Sequence, residues 1–208
     1  MTQENSIIAE GGVHVFRMEW KTWERHITIQ WPSDVSLFFL VHDAAMKLTI
    51  DVASEHARVG CSILVVSSWN ITSSIDFSVA LKASHTIADV YALSLLGNNA
   101  KAQVNGGVVI GENIIQAQGY LAEENLLLGK KIQIKALPML DVRSNDVKAS
   151  HGATISRLDD QKLFYLTAKW LSPETAERLM VQSYIQKALD HAKIEDETLV
   201  ENVFQKLS

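Results

Sequence analysis

The sequence DVKASHGATISRLDDQKLFYLTAK, residues 146–169, joins a β-rich part of the chain to a helical part. Short runs of β-branched residues come before it, and helical spacing of apolar residues comes after it. Within it, Asp159 is placed to cap a helix because its carboxylate can accept hydrogen bonds from the first free backbone N–H groups. The chain therefore divides into a β unit over residues 1–155, with 1–12 as a loose lead-in, and a helical region over 156–208.

The β unit contains strand-sized runs at short intervals, separated by Gly, Asn, Asp and Ser. These runs cover residues 13–20, 26–31, 35–41, 46–52, 61–67, 71–79, 90–96, 102–110, 113–118, 124–128, 132–137 and 140–143. No helix fits between them, which excludes a βαβ layout and leaves a sandwich, a barrel or a β-helix. Few connections resemble tight hairpins, and the runs lack strict alternation, so a parallel β-helix is favoured.

The helical region predicts three helices. The first runs over 159–170, with Leu163, Leu166 and Trp170 on one apolar face. The second is capped by Ser172, begins at Pro173 and extends to about residue 192. Its predicted buried stripe contains Ala176, Leu179, Met180, Tyr184, Ala188 and Leu189. The third covers 195–207.

Composition restricts the function classes. The 208 residues carry a formal charge of -5, which argues against nucleic-acid binding because such surfaces need clustered Lys and Arg. The N-terminus shows no signal-peptide pattern, and the apolar run 35–41 is too short to span a bilayer. We expect a cytoplasmic protein.

The single cysteine, Cys61, excludes any site that needs several cysteines from one chain. It lies in an apolar strand-like run, which predicts a small buried hydrophobic residue. The sequence also lacks a phosphate-binding glycine loop and hydrolase motifs, so any nucleotide chemistry would come from a partner.

Several motifs carry a family resemblance. HGAT at 151–154, LDDQKLFYL at 158–166, SPE at 172–174 and AERL at 176–179 resemble the C-terminal part of the SufB/SufD family. NLLLG at 125–129 and PMLDV at 138–142 resemble its last β-helix strands. Members are scaffold components of iron-sulfur cluster assembly. The resemblance implies a right-handed parallel β-helix followed by a small C-terminal helical tail; it does not reach the first seventy or so residues.

The same resemblance implies two tentative metal ligands. His151 falls on the family's histidine, and Glu123 falls where SufB-type members carry a cysteine. Gly152 replaces a SufB-type glutamate, as in SufD-type members, so the chain is SufD-like. Ala149 stands where SufD-type chains often have cysteine. The alternatives are a structural turn histidine and a solvated turn carboxylate.

The implied function is a non-enzymatic scaffold that binds a SufC-like ABC ATPase through the tail. It also binds a SufB/SufD-like subunit, or a second copy of itself, through the β-helix end. The predicted ATPase contacts are Phe164, Tyr165, Leu179 and Tyr184, and at least one of the adjacent Phe164 and Tyr165 should be exposed. The predicted subunit contacts are Leu140, Val142 and Val147.

Two other functions stay open. A carbohydrate-active β-helix enzyme would need paired acids on one face, and the strand runs hold few acids outside their turns. A homo-oligomer that has lost the assembly role would keep the fold alone. For the scaffold reading, we expect no stably bound cofactor in the isolated chain, with transient iron or a cluster shared at a subunit interface as its cargo.

Overall fold

The computed structural model describes residues 5–207 and contains thirteen strands followed by three helices. The strands are β1 Asn5–Ile8, β2 Gly12–Glu19, β3 Thr22–Ile29, β4 Asp34–His42, β5 Ala45–Val52, β6 Arg58–Ser67, β7 Thr72–Leu81, β8 Ile87–Leu96, β9 Lys101–Ile110, β10 Ala117–Leu127, β11 Gln133–Ala136, β12 Met139–Val142 and β13 Val147–Arg157. The helices are α1 Asp160–Thr167, α2 Pro173–His191 and α3 Glu197–Leu207.

The strands form two sheets in which every pairing is parallel. Sheet A contains the odd strands from β1 to β11, with β12 beside β9. Sheet B has the order β13-β10-β8-β6-β4-β2. Because the chain alternates between the sheets, each pair of consecutive strands forms one coil stacked on the next. This confirms the β-helix prediction and extends the fold over residues 5–70 as well.

Stacked turns join the coils. Asn70 and Asn99 hold left-handed backbone angles, with φ of 63° and 55°, at corners of successive coils. Asparagine tolerates this conformation better than most residues, so it suits a corner that repeats. On the other side, His56 and His85 also have positive φ, and their rings stack with centroids 5.0 Å apart. The turn residues therefore continue the stacking of the strands.

The β-helix interior is filled by apolar side chains from both sheets. Val35 pairs with Val59, and Val59 pairs with Ala88, so similar residues lie above one another in successive coils. Phe16 and Phe39 stack inside with ring centroids 4.8 Å apart. Cys61 is fully buried in this cluster, which confirms its prediction as a buried hydrophobic residue.

A second apolar cluster lies on the outer face of sheet B, beneath α2 and α3. Phe38, Leu64 and Leu93 of the sheet pack there with Ile185 of α2 and Val203 of α3. These helices therefore cover one face of the β-helix. No helix among residues 5–207 has the length and hydropathy needed to cross a membrane.

The helix starts match the sequence. Asp159 accepts hydrogen bonds from the backbone N–H groups of Gln161 and Lys162, and Ser172 caps α2 with Pro173 as its first residue. The prediction that Trp170 lies on the apolar face of α1 is wrong. Helix α1 ends at Thr167, and Trp170 is 98% exposed with a left-handed φ of 70°.

Two β predictions also differ from the structure. The lead-in contains strand β1, which pairs with β3. The predicted strand at 113–118 is instead mostly a turn, because Asn113 and Gln116 adopt positive φ and β10 begins at Ala117. That turn positions the strand carrying Glu123.

Candidate functional site

The C-terminal end of the β-helix leaves strands unpaired on one side, among them β12 and β13. In the described part of the chain, β13 pairs only with β10, and β12 pairs only with β9. Most residues of β13 are exposed, including Ile155. Unpaired backbone groups along such an edge can pair with a strand of another chain. The end of the β-helix is thus a candidate subunit interface.

The three predicted interface residues lie at this end. Val142 is in β12 and 40% exposed, whereas Leu140 in the same strand and Val147 at the start of β13 are half-buried against the interior cluster. The structure therefore places them around the open end, with Val142 the most accessible of them.

His151 lies on β13 at the same open end. It pairs with Leu121 of β10, and Glu123 pairs with Ala153. Leu121 and Glu123 are both buried, and strand side chains two residues apart share a face, so His151 and Glu123 belong to the inward side of sheet B. Strand β13 is the last in its sheet, and His151 is exposed there, whereas Glu123 lies one coil deeper.

The prediction of Glu123 as a solvated turn carboxylate is wrong. Glu123 lies within β10 and is 1% exposed, because the strand begins seven residues earlier than the run from which it was predicted. Its side chain occupies the space opposite Gly106, where a Cβ atom would lie 2.3 Å from Oε1 and 2.2 Å from the Phe77 ring. Glycine at 106 therefore leaves room for the glutamate.

Few interactions offset the cost of burying the charged carboxylate of Glu123. Neither oxygen makes a hydrogen bond of normal geometry, and only the Gly106 backbone N–H favours the charged form. Burial raises the pKa of Glu123 to about 7, since removing a carboxylate from water penalises its ionised form. A side chain that exchanges protons near neutral pH lies inside the β-helix.

The thiol of Cys61 is distant from His151, because β8 and β10 lie between β6 and β13 in sheet B. Cys61 is in β6, fully enclosed, and burial raises the pKa of its thiol, which disfavours the thiolate that binds metals. Among residues 5–207, no three His, Cys, Asp or Glu side chains gather as a metal site. His151 and Glu123 are therefore a pair of candidate ligands rather than an assembled cage.

The tail forms a second candidate surface, which we call the aromatic surface: Phe164, Tyr165, Trp170 and Leu179. Phe164 is 75% exposed and Tyr165 is 62% exposed, so both adjacent aromatic residues are accessible. Helix α1 buries none of its residues. Exposed apolar groups of this size, clustered on one hairpin, are typical of a protein-binding surface.

Leu179 is exposed, which corrects its place in the predicted buried stripe of α2. The stripe instead contains Ala176, Met180, Val181, Ile185, Ala188 and Leu189. Tyr184 is half-buried beside the outer apolar cluster and so is less accessible than the residues of α1. Leu179 of α2 is therefore exposed as part of the aromatic surface, whereas Val181 of the same helix packs against sheet B.

Two polar clusters were missed because their residues are distant in sequence. Ser62 Oγ and His191 Nδ1 are joined by a 2.7 Å hydrogen bond, and His191 Nε2 lies 3.4 Å from Asp89. The order resembles a hydrolase triad, but Ser62 is fully buried beneath α2 and cannot meet a substrate. This cluster fixes the helix on the sheet.

The second cluster holds the end of the tail. His42 Nε2 lies 3.2 Å from Asp43, which also accepts hydrogen bonds from Ser68. Lys206 of α3 reaches Nδ1 of His42 at 3.3 Å. Burial lowers the pKa of His42, so the neutral ring is favoured. No spacing in the sequence could have indicated either cluster, because tertiary packing creates both.

Comparison with protein families supplies the remaining observation. A family model described as "SUF system FeS cluster assembly, SufBD core domain" matches residues 35–184. The match includes strands β4 to β13, helix α1 and the first part of α2. It therefore contains the open end and the whole aromatic surface.

Individual proteins with similar sequences agree. The iron-sulfur cluster assembly protein SufD of Escherichia coli (strain K12) is 27% identical over 114 residues, which is 55% of this chain and 26% of that protein. A SufBD family iron-sulfur cluster assembly protein of Synechocystis is 27% identical over 144 residues, 69% of this chain and 32% of that protein. The matched regions thus cover about a quarter to a third of these relatives.

Proposed function

The chain belongs to the SufBD family of the SUF iron-sulfur cluster assembly system, and from that membership we propose that it is a SufD-like, non-enzymatic scaffold subunit acting in the cytoplasm. The observation that supports this most strongly is the family match across residues 35–184, which contain both candidate surfaces. In this proposal the tail binds a SufC-like ABC ATPase, and the open end binds a SufB/SufD-like subunit or a second copy.

The aromatic surface supports the ATPase contact. Phe164, Tyr165 and Trp170 offer large side chains that cost little conformational entropy to immobilise, as is typical of interface hot spots. Helices α2 and α3 pack on sheet B, so this surface lies on a tail that is fixed to the β-helix.

The locations and pKa values of the acidic side chains favour a scaffold over a carbohydrate-active enzyme. Asp51, toward the outer side of sheet A, is paired with Lys82 at 2.6 Å and His26 at 2.9 Å. The Lys82 and His26 hydrogen bonds outweigh burial and lower the pKa of Asp51, the opposite of what a general acid needs. The acid with a raised pKa, Glu123, lies in the interior.

Co-expression tests the proposed assembly. Expressed with a SufC-like ATPase and a SufB-like subunit from one SUF system, the chain should elute with both proteins during size-exclusion chromatography. Elution of the chain by itself, while the other two proteins associate, would contradict the scaffold role.

The open end predicts a specific association. Val142→Glu combined with Ile155→Glu should separate the chain from its second subunit, because both residues are exposed beside unpaired strands and a glutamate would be desolvated in the interface. Sedimentation velocity at micromolar concentration measures this. Trp69→Glu, at an exposed tryptophan in the turn between β6 and β7, is the matched control and should associate normally. A wild-type chain that stays monomeric and ignores a SufB-like subunit would refute the interface.

Iron in transit is the proposed cargo at His151. An imidazole with nearby oxygen ligands suits ferrous iron better than a finished cluster, and it binds metal only when neutral. Anaerobic titration at about pH 7.5 should therefore show weak ferrous binding. His151→Ala should abolish it, whereas His14→Ala should leave it unchanged. Equal binding by wild type and His151→Ala would make His151 structural.

A further inference from the structure

A cavity of about 360 Å³ lies between sheet B and the first two helices. Lys162 of α1, Lys187 and Tyr184 of α2, and Ser156 of β13 line it, with Leu126 of β10 among the apolar groups. The sheet and the helices each supply part of the wall. The cavity is thus formed by tertiary packing, not by one surface loop.

The one acidic group in the wall is already neutralised. Glu124 accepts a 2.9 Å hydrogen bond from the Tyr91 hydroxyl and another hydrogen bond from the Lys187 ammonium. That ammonium also lies 4.7 Å from the centre of the Tyr91 ring. Glu124, Lys187 and Tyr91 therefore satisfy one another and form one side of the cavity.

Other donors in the wall have no acceptor. Within residues 5–207, the ammonium of the exposed Lys162 makes no ion pair or hydrogen bond, and the Tyr184 and Ser156 hydroxyls make no hydrogen bond. Because Lys187 is paired with Glu124, Lys162 is the unpaired charge of the wall, although the whole chain carries a charge of -5. Unpaired donors of an acidic protein thus line a cleft that is open to solvent on one side.

We propose that this cavity binds a small phosphate-bearing anion. Lysine ammonium groups bind phosphate as compact point charges, and hydroxyl donors complete the oxygen contacts. The volume is in the range of small-molecule sites. Such a ligand would connect α1 and α2 to β13.

Calorimetric titration with inorganic pyrophosphate tests the site at about 50 mM salt, where charge screening is modest. Lys162→Ala should weaken binding about tenfold or more, because it removes a charge-assisted contact. Tyr184→Phe should weaken it several-fold. Lys148→Ala is the matched control, since Lys148 is an exposed lysine of β13 outside this cavity, and it should bind like wild type.

Four results would overturn the proposal. They are no heat of binding with wild type, unchanged affinity in Lys162→Ala, an equal loss in Lys148→Ala, and tighter binding of citrate than of pyrophosphate. The third would show attraction to general surface charge, and the fourth would show a carboxylate site. Circular dichroism of each variant, expected to match wild type, separates these outcomes from misfolding.

Discussion

Replacing Glu123 with glutamine should stabilise the folded protein at pH 8 by about 3 kcal/mol and leave its stability at pH 4 nearly unchanged. Burial raises the pKa of this carboxyl to about 7 in the folded chain, against its ordinary value of 4.5. The folded state therefore holds a proton that the unfolded state has lost between these two values. The contribution of Glu123 to the free energy of unfolding of the wild type is complete below about pH 4.5. It is lost as the pH rises to about 7.

Glutamine keeps the shape of the side chain but cannot ionise, so the variant does not lose this stabilisation as the pH rises. Urea unfolding at several pH values from 4 to 8 measures the difference between the two proteins, which removes the contributions of other titrating groups. Glu55→Gln, at an exposed turn glutamate, is the matched control. Parallel stability curves for wild type and Glu123→Gln would show that Glu123 finds a partner or water that neutralises the burial penalty.

Replacing both Phe164 and Tyr165 with alanine should weaken ATPase binding at least about 100-fold, because buried aromatic anchors commonly contribute 2 kcal/mol or more each at protein interfaces. The fold should not change, since α1 buries none of its residues. Calorimetry with the purified SufC-like ATPase measures the affinity, and circular dichroism checks the fold.

The matched control for that variant removes exposed aromatics elsewhere. Trp31→Ala combined with Trp69→Ala deletes two tryptophans that are 55% and 63% exposed outside the tail. This control should bind the ATPase like wild type. Equal binding by the Phe164 and Tyr165 variant would place the contact away from α1, and equal loss in the control would indicate nonspecific apolar attraction.

The sequence could predict the fold because each coil repeats the same local information. Strand-sized apolar runs, turn residues and helix caps such as Asp159 and Ser172 act over a few residues, and the structure confirms them. The strand prediction for residues 113–118 was wrong because these residues mostly form a turn. The side chain of Ile114 in that turn packs into the β-helix interior. Apolar composition alone does not distinguish a strand from a turn folded onto the core.

The site was less predictable because it depends on depth within the β-helix. Glu123 looked like a surface residue, since nothing local indicates that β10 begins at Ala117 and carries it inward opposite Gly106. The exposure of Leu179 likewise follows from how α2 lies on sheet B. Lys162 and Lys187, 25 positions apart, meet at one cavity only after that packing.

Hydrogen-deuterium exchange of the chain, alone and with the SufC-like ATPase, tests the scaffold account most directly. If the tail binds the ATPase, amide exchange should slow across Asp160–Thr167 of α1 and the first turns of α2. Exchange in strands β3, β5 and β7 of sheet A should not change. Protection confined to sheet A, or no protection at saturating ATPase, would contradict it.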